Sequence, residues 1–287
     1  MSISASVKLK TKELLKTTTG LKTSDGDGVN MTRLIGTAQL DYVDPFLLLD
    51  AFGSDKPNDY IGGFPSHPHR GFETVTYLLN GKMRHKDNAG NEGVIESGGV
   101  QWMTAGKGIV HSEMPEQEHG LLEGFQLWVN LPAADKMVEP AYQEFSNASV
   151  PVEHWENGTE IRVVAGKTQK GTSGPVINSY VSPLFMDVSL RAGEPFEQIV
   201  DGADNTLVYV IEGELLIGDE ARELSAKNLG ILEQGDHVLV RSNSDNARFI
   251  LISAKPLHEP VARGGPFVMN TQDQVRQAFD DFRNNRF

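Results

Sequence analysis

The sequence predicts an all-β chain made of two similar halves. Three observations carry that expectation: a surplus of turn residues, two strand–turn–strand units of matching composition, and little helical periodicity. Glycine supplies 29 of 287 residues and proline 14. The glycine share is roughly 10% against a usual ~7%. So many turn formers imply many short strands.

The first unit is residues 74–79, rich in Thr, Val, Tyr and Leu, running into Asn80-Gly81. Asn-Gly after such a run is a strong hairpin signal. The second is residues 205–211, which ends at Glu212-Gly213, and residues 214–218 follow at once, so this too reads as a hairpin. A glycine-led strand comes after each: Gly98-Gly99-Val100 in the first half and Gly235-Asp236-His237-Val238 in the second. An internal duplication of all-β domains of about 130–140 residues accounts for the pattern. The switch is expected near residues 136–142, where Pro140 interrupts, which gives domains 1–137 and 138–287. The stretch 124–131 alternates as a further strand. The one clear helix is C-terminal. Thr271 and Gln274 fit a capping box, and Val275, Ala278, Phe279 and Phe282 form one apolar face.

Composition limits the function. With 39% hydrophobic and 23% charged residues the chain has a globular make-up. A net charge of −13 repels phosphate backbones, so direct nucleic-acid binding is not expected. The absence of cysteine excludes disulfides, zinc–thiolate sites and thiol catalysis, and leaves His, Asp and Glu to hold any metal. Residues 1–22 intersperse Lys with Leu, Ser and Thr, without the apolar core of a signal peptide. No run approaches the ~18 apolar residues of a membrane span. The expected compartment is the cytoplasm, and the sequons at Asn30, Asn147 and Asn157 are then chance matches.

Of eight histidines, three sit in unusual company. His67-Pro68-His69 places two imidazoles at i and i+2, which point to one side of an extended chain. His111-Ser112-Glu113 repeats the geometry with an imidazole and a carboxylate. Two neighbouring strands presenting these pairs to one interior bring four ligands together. That set suits Fe(II), Mn(II), Co(II), Ni(II), Cu(II) or Zn(II). Gly62-Gly63 precedes the first pair and Gly106-Lys107-Gly108 the second, so the backbone can turn tightly beside a site. Glu73 competes with Glu113 as the carboxylate. It reads equally as a salt-bridge partner of Arg70, as a support behind the ligands, or as the ligand itself. His85, among Lys82, Arg84, Lys86 and Asp87, reads as solvated surface. His119 and His154 lie in polar loops, His237 stands alone, and His258 lies in a proline-flanked connection. Phe64, Trp102, Met103 and Phe125 are candidate apolar walls or plain core. There is no G-x-S-x-G, phosphate loop or dinucleotide fingerprint.

The stretches 64–79 and 101–115 resemble the signatures of the pirin family of the cupin superfamily. Residues 127–131, 136–137 and 266–270 also match, and the resemblance runs from about residue 28 to the C-terminal helix. It implies a bicupin: two stacked cupin (jelly-roll) barrels with a short C-terminal helix and a metal only in the first. It implies His67, His69, His111 and Glu113 as ligands, with Glu73 in a secondary role. Fe(II) is the ion it implies, with other divalent transition metals as substitutes. Some family members are iron-binding nuclear proteins linked to transcriptional control, and others are similar to quercetin 2,3-dioxygenases. The alternative expectation for this chain is an iron-binding, redox-sensitive regulatory module that acts through a protein partner, since the acidic surface disfavours direct DNA contact. The resulting expectation is O2-dependent cleavage of a flavonol, with Glu113 as ligand and base.

Overall fold

The computed structural model of the chain describes residues 9–193 and 195–287. Strands dominate, and the α-helix Gln272–Arg283 closes the chain. No described helix is long and apolar enough to cross a membrane.

Contacts divide the chain into two compact units. One holds residues 20–150, 175–181 and 257–287. Its seven-stranded sheet runs Ala141–Phe145, Val100–Thr104, Phe72–Asn80, Leu122–Asn130, Phe46–Ser54, Val29–Ile35, Leu21–Asp25, and its four-stranded sheet runs Phe64–His69, Ile109–Pro115, Lys82–Asp87, Glu92–Glu96. The described residues of the other unit are 9–19, 151–174, 182–193 and 195–256, and it repeats the pairing of a seven-stranded with a four-stranded sheet. The duplication expected from the sequence is therefore present as two antiparallel double-sheet jelly rolls, the cupin architecture.

The division is not a single cut in the chain. Ala141–Phe145, beyond residue 137, pairs with Val100–Thr104 and covers that edge of the first unit's sheet. Leu14–Thr18 does the same for Leu229–Leu232 in the second unit. Covering the edges removes the unpaired N–H and C=O groups that would otherwise invite aggregation.

Two expected hairpins are corners instead. Phe72–Asn80 pairs with Leu122–Asn130 and Val100–Thr104, whereas Lys82–Asp87 pairs with Ile109–Pro115 and Glu92–Glu96. The chain changes sheet at Gly81, and likewise at Gly213 between Asn205–Glu212 and Glu214–Ile217. One residue between strands is too short for a two-residue hairpin turn. Glycine at φ +94° and +77° bends the chain into the other sheet instead. The glycine-led strands also part company: Val100–Thr104 joins a seven-stranded sheet and His237–Ser242 a four-stranded one.

The helix fits its sequence signal. Thr271 is its N-cap and forms a capping box with Gln274. Val275 and Ala278 are buried, and Phe279 meets Phe267 edge-on at 4.8 Å. Arg70 Nη1 lies 2.7 Å from Asp281, so the helix is tied to the residue that follows His69.

Candidate metal centre

The four-stranded sheet of the first unit brings the two sequence motifs face to face. His111 stands directly opposite His67 in the antiparallel pair, and a bulge sets Glu113 opposite Phe64. Ile109, His111 and Glu113 are buried in alternation, as a strand with one inward face requires. Nitrogens of His67, His69 and His111 lie within 4.8 Å of one another. Ring centroids are 4.7 Å apart for His67–His69, 4.5 Å for His67–His111 and 5.0 Å for His69–His111.

The hydrogen bonds show which nitrogens are free. His67 Nδ1 lies 2.8 Å from the Pro65 carbonyl and donates to it as the Nδ1–H tautomer, which leaves Nε2 bare. His69 Nδ1 and both ring nitrogens of His111 are buried without a hydrogen-bond partner among the described residues. Orphaned buried polar atoms cost stability unless something binds them. Burial, with smaller contributions from the other imidazoles, holds His69 well below its ordinary range. Burial likewise brings His111 down to about 4, against the opposing pull of Glu113. Neutral imidazoles with unused lone pairs are what a divalent transition ion needs, so the residues fit such a group.

Glu113 lies outside the set of mutually close ligand atoms. Thr76 Oγ1 is 2.8 Å from its Oε1, and Gln126 Nε2 is 3.4 Å from its Oε2. Glu73 is directed elsewhere. It accepts from Thr104 at 2.8 Å and from Asn178 at 2.6 Å, and it makes no ion pair with Arg70, whose partner is Asp281. Thr76, on the same strand, points at Glu113, so Glu73, three positions earlier, faces the other side of the sheet. Gly71, at φ +88°, separates the strand of the histidines from the strand of Glu73 and resets that alternation. Burial pushes the Glu73 carboxyl up.

A cavity of about 780 Å³ opens beside the imidazoles. His67, His69, Glu113 and Gln126 line it on the side of the imidazoles, Arg33, Asp50 and Asp25 also line it, and Leu48, Phe52, Phe64 and Trp128 form apolar walls. Of the four residues that read as either apolar wall or plain core, only Phe64 lines it, and the other three are core. Met103 packs with Ala105 and Ile109, and Trp102 and Phe125 are buried away from it. Trp128 was missed, yet it stands edge-on to His69 at 5.2 Å. His85 corrects a further expectation: it is 4% exposed and contacts Glu144. Met83, His85 and Asp87 alternate inward while the charged Arg84 and Lys86 point out. His119, His154 and His258 are exposed.

The chain is similar to known proteins over nearly its whole length. The family profile described as Pirin matches residues 28–129, and that described as the Pirin C-terminal cupin domain matches residues 185–287. A pirin-like protein of Caulobacter vibrioides is 52% identical over 277 residues, covering 96% of this chain and 99% of the relative. Pirin of Homo sapiens is 42% identical, covering 91% and 89%. Among solved structures, quercetin 2,3-dioxygenase from Acinetobacter baumannii superposes with a TM-score of 0.88 at 34% identity, covering 96% of this chain and 98% of that one.

Proposed function

The chain belongs to the pirin family, and from that membership we propose that it is a mononuclear metal dioxygenase that opens the central ring of a flavonol such as quercetin. The observation that carries this reading is a cluster of three imidazoles with unused nitrogens, two of which, His67 and His69, stand at the wall of a half-apolar cavity. The likeness to a quercetin 2,3-dioxygenase supports the substrate class.

In this reading His67, His69 and His111 hold the ion, with Glu113 as the fourth ligand and Fe(II) as the ion. When bound, such an ion acidifies a coordinated hydroxyl and makes the substrate accessible to O2. Glu113 takes the proton of the flavonol 3-hydroxyl. Thr76 and Gln126 steady the carboxylate for that transfer. Leu48, Phe52, Phe64 and Trp128 enclose the flat ring system and keep water away. Both atoms of O2 enter the ring, the carbon that bore the hydroxyl leaves as carbon monoxide, and Glu113 returns its proton to the product.

The test is metal-free protein reconstituted with Fe(II) under nitrogen, then given quercetin and O2. Loss of the flavonol absorbance with matching carbon monoxide release is expected. No turnover with Fe(II), Mn(II), Co(II), Ni(II) or Cu(II) would sink the reading.

A further inference from the structure

A row of polar side chains crosses the inward face of the first unit's seven-stranded sheet. Register sets Glu144 opposite Gln101, Gln101 opposite Thr76, Thr76 opposite Gln126, Gln126 opposite Asp50, and Asp50 opposite Arg33. Bonds run along it: Gln101 to Glu144 at 3.0 Å, Thr76 to Gln126 at 2.7 Å, and Arg33 to Asp50 at 2.9 and 2.7 Å. The same unit buries Met31, Phe52 and Leu78 around this row. In the second unit the interior is hydrocarbon, with Met186, Val188, Val208, Val210, Phe249 and Leu251 in one cluster. Polar groups in a barrel interior cost burial energy that apolar side chains avoid. The middle of the row serves Glu113. The Arg33 end serves nothing in the metal centre.

That end lines the same cavity, through Arg33, Asp50 and Asp25. It lies two strand spacings from Gln126, roughly 10 Å. Arg33 binds Asp50 through Nε and Nη2, and Nη2 also reaches Asp25 at 2.8 Å. Arg33 Nη1 has no partner among the described residues. The Asp50 side chain is 6% exposed and that of Asp25 is 56% exposed, so Asp25 keeps accessible lone pairs. One guanidinium beside two carboxylates leaves a net negative charge, which disfavours an anionic ligand. A neutral group that both accepts and donates fits, and a phenolic hydroxyl is such a group.

We propose that this end of the cavity is a hydroxyl subsite: the ligand is a neutral, multi-ring phenol whose far ring sets a hydroxyl between Arg33 Nη1 and the Asp25 carboxylate. The proposal rests on the dioxygenase reading only for which ring lies at the imidazoles. A single-ring phenol does not bridge both ends.

Binding of two flavonols, read by quenching of tryptophan fluorescence under nitrogen, tests it. Kaempferol carries one hydroxyl on its far ring, and galangin carries none. The natural protein should bind kaempferol about tenfold more tightly, the scale of one directed hydrogen bond to a charged group. Arg33→Met combined with Asp50→Asn leaves no unpaired buried charge and should bring the ratio to about one. Asp25→Ala alters an exposed side chain that does not endanger folding and should cut the ratio to about threefold or less. Equal affinities in the natural protein, failure of both flavonols to bind, or a ratio that survives both variants overturns the subsite. A preserved ratio without quercetin turnover overturns the enzymatic reading and leaves the subsite standing.

Discussion

Thr76 Oγ1 lies 2.8 Å from Glu113 Oε1 and 2.7 Å from Gln126 Oε1, so one hydroxyl stands between a carboxylate and an amide. A hydroxyl has a single proton to donate and cannot serve both oxygens at once. The carboxylate, the hydroxyl and the amide must therefore settle as a unit. Thr76→Val keeps the shape and removes the link. Turnover should fall about tenfold with KM and metal content unchanged, and Thr76→Ser should restore it. Unchanged turnover in the valine variant would show that Glu113 needs no such support.

Glu73 separates the structural reading from the simpler sequence one. It faces Thr104 and Asn178, away from the imidazoles, and burial already favours its neutral form. Glu73→Gln is then close to isosteric. Metal content after Fe(II) loading should match the natural protein, and loss of the metal would restore Glu73 as the carboxylate ligand.

The histidines set a pH dependence in the metal-free chain. His111 titrates near 4 when folded, chiefly through burial, and near 6.5 when unfolded. Between those values the unfolded chain binds more protons, so stability falls as pH falls through the window and is level above it. His69 shifts in the same direction. His111 alone should leave the metal-free chain about 2 kcal/mol less stable at about pH 5 than at about pH 7.5, and His69 adds to that loss on denaturation. A midpoint that does not move would contradict the buried, neutral imidazoles.

Arg70 is 4% exposed at its side chain and leans on Asp281 of the C-terminal helix. The guanidinium in turn holds the Asp281 carboxyl down at about 2. Asp281→Ala leaves a buried cation short of its partner, which costs about 3 kcal/mol in comparable sites. The denaturation midpoint should drop, and the turn after His69 should loosen, with weaker metal retention. Unaltered stability would mean that Lys107, whose carbonyl also accepts from Arg70, suffices alone.

The meeting of His67, His69 and His111 was legible because i,i+2 spacing is a local property of a strand. His111 opposite His67 is the register that such spacing needs. The sheet changes at Gly81 and Gly213 were not legible, since a lone glycine between strands encodes a bend and not a pairing partner. Partners come from strands such as Ile109–Pro115 and Leu122–Asn130, far along the chain. His85 carried a usable signal that its charged neighbours masked: positions 83, 85 and 87 share one face. The Arg33–Asp50 end of the polar row was out of reach, because it depends on the register of five strand pairs at once. Which apolar residues wall the cavity and which are core was left open for a similar reason. Phe125 and Gln126 are neighbours, and only the second faces the cavity.

The central claim is that His67, His69 and His111 hold a metal ion. Elemental analysis of the natural protein and of His67→Ala combined with His111→Ala tests it most directly, after Fe(II) loading under nitrogen and desalting. The expected result is about one ion per chain in the natural protein and less than about a tenth of that in the variant. A natural protein that retains no metal, or a folded variant that retains as much, would contradict the claim.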